Sequence, residues 1–269
     1  MQSQSEVVKK RLKIALETSV IIAASVYFVS KELDSEKTAK DVHYERAQKL
    51  ITELKNRVAQ RTGVVTRTIL RESRNALRNA ITNSLEREGL NPQNPSIILN
   101  QCGDRLERIV EMLSLEPIDQ KRKDHFFTQV VSMYSMLLER ASLVTERTTR
   151  ALAEDRTKLT ASPRYRGIKS ELGTHEVRQE FRQLYNLRGN PPTPRDREIL
   201  SELAALSESY SAEIPTDLYL ASTDSSHFSP MRFPTGIVSD QITKQIEETF
   251  HVRCDWPDVI AEIVSKQEG

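Results

Sequence analysis

Four carboxylates, Glu17, Glu72, Asp196 and Asp224, each stand beside a strand-like or helix-starting segment of the 269-residue chain. The pieces KIAL (Lys13 to Leu16) and DLYLAS (Asp217 to Ser222) lead straight into the first and last of these acids. In open α/β sheets, ligands collect where the strands end. Carboxylate oxygens gathered there suit a hard divalent ion such as Mg²⁺ or Mn²⁺, and Mg²⁺ keeps several waters while touching one or two carboxylates. Such an ion polarises a phosphodiester, lowers the pKa of a bound water and stabilises the leaving oxygen. The chemistry expected is metal-assisted hydrolysis with no protein nucleophile. Thr18, Ser19 and Ser222 are expected to orient the acids or the metal-bound water, and His227 to pack beside Phe228.

Each acid also has an ordinary structural reading. Glu17 could be a strand-end surface residue, and Glu72 could pair with neighbouring Arg71. Thr193-Pro194-Arg195-Asp196 forms a capping-box pattern that stabilises a helix start, and Asp224 could cap a turn.

The elements that must position these residues are read from hydrophobic period and breakers. A polar start to Lys10 precedes a short buried strand over Leu12 to Leu16 and an apolar helix through Val29. Val42, Leu50, Leu54 and Val58 predict an amphipathic helix between Asp34 and Arg61 that stops near Gly63. GVVT makes a second strand, and a helix from Thr68 to Glu88 carries Glu72 at the edge of its apolar stripe. Asn91, Pro92, Asn94 and Pro95 break the chain. Two helices follow on either side of Pro117, with Val130, Tyr134, Leu137, Ala141 and Val144 spaced for helix-on-helix packing in a helical hairpin. A helix to Leu187 ends at GNPPTP. Thr193 and Pro194 then open another helix, before DLYLAS, a turn, a short edge strand in TGIV and a final helix from Pro257.

These pieces resemble the PIN-domain family of nucleases. LKIALETSVIIAASV is similar to the family's opening strand and Asp-Thr-Ser/Asn motif, with Glu17 in place of the first Asp. VVTRTILRESRNAL resembles the second motif, where Glu72 matches the helix-borne Glu. PRDREILSELAAL resembles the third through Asp196, and LYLASTDSSHFSP the fourth through Ser222 and Asp224. The resemblance implies a three-layer α/β/α domain with a central parallel sheet, built from residues 11–90 and 191–269, with residues 91–190 as an inserted all-helical block. It further implies a metal-dependent ribonuclease using Glu17, Glu72, Asp196 and Asp224 as Mg²⁺ or Mn²⁺ ligands. The departure at Glu17 moves a carboxylate outward by one methylene. That keeps open the alternative of a catalytically inactive module that binds RNA or protein.

Charge and composition agree with a folded, helix-rich protein: 38% hydrophobic, 29% charged, formal charge +1. The near-neutral balance gives no global pull toward nucleic acid. The segment from Arg140 to Arg188 is locally basic, and Arg147, Arg150, Arg156, Arg164 and Arg166 are the candidates for phosphate contact, against the reading of a solvated helix face. The helical block could equally serve a protein partner or a homodimer. Cys102 and Cys254 are far apart and lack metal-ligand spacing, so a reducing, cytoplasmic setting is expected. The apolar run TSVIIAASVYFVS is too short for the roughly 20 residues of a membrane span.

Overall fold

The computed structural model describes residues 10–27, 39–87, 95–161, 175–232 and 238–267. The chain starts with β1 (Arg11–Leu16), whose last five residues are all buried. Burial on both faces is what a central parallel strand requires. Its neighbours are β2 (Gly63–Val65) on one side and β4 (Thr216–Ala221) on the other. β3 (Ser114–Leu115) extends the sheet beyond β2, and β7 (Val252–Asp255) extends it beyond β4. All four pairings are parallel, giving the order β3-β2-β1-β4-β7. The order runs backward in sequence to β1 and then forward from β4. The crevice between β1 and β4 is therefore the topological switch point, where open α/β sheets bind ligands.

The helices are α1 (Thr18–Val26), α2 (Ala39–Lys55), α3 (Arg67–Arg87), α4 (Pro95–Glu111), α5 (Gln120–Ala161), α6 (His175–Gly189), α7 (Pro194–Glu213), α8 (Gln241–Phe250) and α9 (Pro257–Lys266). One group packs around α1, joining α2, α3 and α4, with α9 against α2. A second group forms on α5, which lies along both α6 and α7, while α7 also packs on β4. This arrangement is compatible with a three-layer α/β/α fold. A separate antiparallel pair, β5 (Met231–Arg232) with β6 (Val238–Ser239), lies outside the main sheet. Among the described residues no helix is long and apolar enough to cross a membrane.

Several expectations are corrected. The block at 91–190 is not all-helical, because β3 inside it hydrogen-bonds to β2, and Glu116 N continues that ladder to Val65 O at 3.1 Å. Two residues of strand leave no period to read. The helix expected to stop near Gly63 ends at Lys55; a 3₁₀ turn follows, and Arg61 takes the left-handed conformation, φ 50°. Gly63 instead opens β2, where a Cβ would stand 2.6 Å from Leu113 Cδ2. β7 was not foreseen. The end of the first apolar helix near Val29, and most of TGIV, lie outside the described residues.

Val130, Tyr134, Leu137, Ala141 and Val144 are all buried, as their spacing demands. Tyr134 also reaches across the core: its hydroxyl donates to His227 O at 2.8 Å and so ties the long helix to the loop after β4. Removing that hydroxyl leaves a buried carbonyl without its donor, which costs about 1–3 kcal/mol. Tyr134→Phe should therefore lower the unfolding free energy by that amount, seen as a lower urea midpoint at an unchanged m value in unfolding followed by circular dichroism.

Candidate functional site

The switch point is built by backbone first. Leu16 pairs with Ala221 in register, and Glu17 N donates to Ala221 O at 3.0 Å, so the chain leaves β1 beside the end of β4. Ser222 N in turn donates to Asp255 O at 3.1 Å, aligning the end of β7. Glu17 then turns the chain into α1 as its N-cap, with an extended backbone. Its Oε2 accepts from Ser19 N (2.9 Å), from Ser222 Oγ (3.2 Å) and, in a short contact, from Ser19 Oγ. An acid at a helix N-terminus is favoured by the helix dipole.

Glu17 is only 6% exposed. Burial pushes its pKa up, the Ser19 hydrogen bonds oppose this, and the charges of Asp224 and Glu72 add to the rise, for a value of about 7. The mutual influence of these acids is a geometric statement: three of the four expected carboxylates share one electrostatic neighbourhood. Ser222 makes the link physical. Its hydroxyl donates to Glu17 and accepts from Asp224 N at 2.9 Å. Ser19 does likewise, giving its proton to Glu17 and accepting from Thr223 N at 3.0 Å. Glu72, in the second turn of α3, accepts from Thr18 Oγ1 at 2.9 Å, and Arg195 stands 3.8 Å from its other oxygen.

Asp196 fulfils its structural reading. Its Oδ2 accepts from Thr193 N at 2.6 Å while Thr193 Oγ1 accepts from Asp196 N at 3.2 Å, a complete capping box. It still faces the cluster, because His227 Nδ1 lies 3.7 Å from the same oxygen.

His227 does more than pack beside Phe228. Its Nδ1 is 2.6 Å from Asp224 Oδ2 and its Nε2 is 2.7 Å from Asn190 O. A carboxylate and a carbonyl can only accept, so both ring nitrogens carry protons and the ring is an imidazolium. Burial pulls its pKa down, but Asp224, the Asn190 carbonyl and Asp196 outweigh that and raise it to about 9. For Asp224, burial alone would raise the pKa; His227, with the Ser226 and His227 backbone amides, holds it below the usual carboxylate range. The signal for this role was present, since His227 follows Asp224 by one turn. Arg195 was likewise readable as the neighbour of Asp196.

A further polar network went unforeseen. Glu202, buried on α7, accepts from Thr68 Oγ1 at 2.7 Å and from Lys123 Nζ at 3.1 Å, and Lys123 also reaches Glu198 at 2.8 Å. It joins α3, α5 and α7. Among the described residues, Arg147 and Arg150 show no contact with the acids. Arg147 and Arg150 are exposed on α5, and Arg150 pairs with Glu146 at 3.0 Å. The side chain of Arg156, and Arg164 and Arg166 entirely, lie outside the described residues.

In donor type the site fits Mg²⁺ or Mn²⁺, since every candidate ligand is a hard oxygen. Among the described residues, the side-chain hydrogen bonds to Glu17 all fall on Oε2. Among the described residues no group of three or more His, Cys, Asp or Glu is placed to hold a metal ion together. Mg²⁺ bound through one or two carboxylates and water needs no such group.

No protein-family model matches the chain, and no curated protein or solved structure shows significant similarity to it. The resemblance to PIN domains therefore rests on the four motifs.

The shifted groups determine how stability varies with pH. Glu17 holds its proton up to about pH 7 when folded and only to about 4.5 when unfolded, so its contribution is greatest below 4.5 and falls as pH rises through 7. His227 has a folded pKa of about 9 against 6.5, so its contribution is whole below 6.5 and is lost as pH rises through 9. Both slopes run the same way. Ionising Glu17 costs on the order of 3 kcal/mol. In EDTA, Glu17→Gln should match the wild type in Tm near pH 4.5 and exceed it by several degrees at pH 8. Equal Tm values at pH 8 would contradict the burial argument.

Proposed function

We propose that the acidic edge at the β1/β4 switch point is a metal-dependent phosphodiester-cleaving site of PIN-like type, acting on RNA. The observation that carries this reading is the Ser222 hydroxyl, which joins Glu17 to the turn bearing Asp224 at the carboxyl end of the two central strands. One or two of Glu17, Glu72 and Asp224, together with water, would hold Mg²⁺ or Mn²⁺, with Asp196 facing them from the start of α7. When bound, such an ion supplies an activated water and charge stabilisation at the phosphate.

The chain's own groups have defined tasks in this reading. Ser19 and Ser222 fix the Glu17 carboxylate, and Thr18 fixes that of Glu72. His227 and the Ser226 amide orient Asp224. Arg195, half-exposed beside Glu72, is placed to meet a phosphate oxygen.

One feature favours a second reading, an inactive module that binds RNA or a protein partner. The imidazolium of His227 already neutralises Asp224 and approaches Asp196, and Glu17 keeps its proton up to about pH 7. In that case an internal cation takes the place of a metal.

A fluorescently labelled single-stranded RNA incubated with Mg²⁺ or Mn²⁺ separates the two. Cleavage should appear with the ion and vanish in EDTA, and Asp224→Asn should slow it by about 100-fold or more. Uncut RNA with either ion at pH 8, or full activity in Asp224→Asn, excludes the nuclease and leaves the module.

A further inference from the structure

We infer that the outer face of α3 is a track for the sugar-phosphate backbone of single-stranded RNA, leading to the acidic edge. This rests on the reading of that edge as a cleavage site. α3 begins directly after β2, at the carboxyl edge of the sheet, and carries Glu72 in its second turn. Arg67, Arg71, Arg74 and Arg78 recur along it at steps of four, three and four, and all four are exposed. At about 100° per residue they fall within one arc of roughly 60°. A rise of about 1.5 Å per residue makes the row about 16 Å long, long enough to meet several successive phosphates. Glu72 leaves the helix about 130° around from the centre of this row, where Arg195 of α7 stands 3.8 Å from it.

The local balance favours phosphate. Among the described residues Arg67 and Arg78 have no carboxylate at ion-pair distance, whereas Arg71 faces Glu198 at 3.7 Å and Arg74 grips Glu107 with two nitrogens at 3.1 and 2.9 Å. Both pairs are substantially exposed, and exposed pairs contribute about 1 kcal/mol or less, so a phosphate oxygen can replace Glu198 at little cost. Arg74 contributes least, being already held bidentately. With a formal charge of only +1, the whole molecule supplies no general attraction, so binding must come from a row such as this one. Arg147 and Arg150 on α5 show no comparable connection to the acids.

The test is fluorescence anisotropy of a 5′-labelled 20-nucleotide poly-U RNA in EDTA, between 50 and 200 mM salt. Without divalent ion, binding is read separately from cutting. Wild-type protein should bind with a log K against log salt slope of about −2 to −3. The double variant Arg67→Ala/Arg78→Ala should weaken binding about 10-fold at the low-salt end and flatten the slope by about 1.4, with an unchanged Tm. Arg147→Ala/Arg150→Ala should bind like the wild type. No binding at 50 mM salt, an unaltered slope in the α3 variant, or a loss transferred to the α5 variant would each overturn the track. Wild-type protein that binds in this way but never cuts with Mg²⁺ or Mn²⁺ removes the nuclease and leaves the track in place.

Discussion

The parallel pairing of β1 with β4 is the constraint on which the rest of the site depends. Six residues of β1 align with six of β4, from Arg11 opposite Thr216 to Leu16 opposite Ala221. Two segments 205 residues apart in sequence thereby end at the same level, and the next residues, Glu17 and Ser222, meet by hydrogen bond. Strand pairing has a period of two, so a slip by one residue would reverse the inward and outward side chains of β4. The buried runs Ile14 to Leu16 and Leu218 to Ala221 hold that register by packing.

Around this junction the protein assembles acids that repel one another and then limits the repulsion by different means. Glu17, almost fully buried, retains its proton near neutrality. Asp224 is compensated by an imidazolium, Asp196 by the amide it caps, and Glu72 by a hydroxyl and a half-exposed guanidinium. Like charges in low dielectric are costly, and such clusters are more often found where a function uses them. In each case the compensating group lies within hydrogen-bond or ion-pair distance of its acid.

The part of the chain expected as an insertion is tied into the same framework. β3 closes one side of the sheet, Tyr134 on α5 holds the loop carrying His227, and Lys123 at the start of that helix reaches Glu198 and Glu202 on α7. These contacts connect the long helix to two acid-bearing elements, the Asp224 turn and α7.

How much was legible from residues alone follows from the range of each interaction. Local rules revealed β1, β4, the amphipathic α3 and the Thr193–Asp196 cap, because hydrophobic period and capping act over a few residues. They also placed all four acids at element ends. They did not reveal β7, nor β3, whose two residues carry no period, nor the left-handed stop at Arg61. Above all they could not assign protonation. His227 stands one turn after Asp224, its main charging partner, but Asn190 and Asp196, which complete its imidazolium, come from elsewhere in the chain; the burial of Glu17 likewise comes from β4 and α1 together. The amino-acid sequence by itself determined which groups could ionise and which segments would form helix or strand. Only the tertiary structure decided which of those groups meet, since desolvation and charge act through space between residues that the chain order keeps far apart.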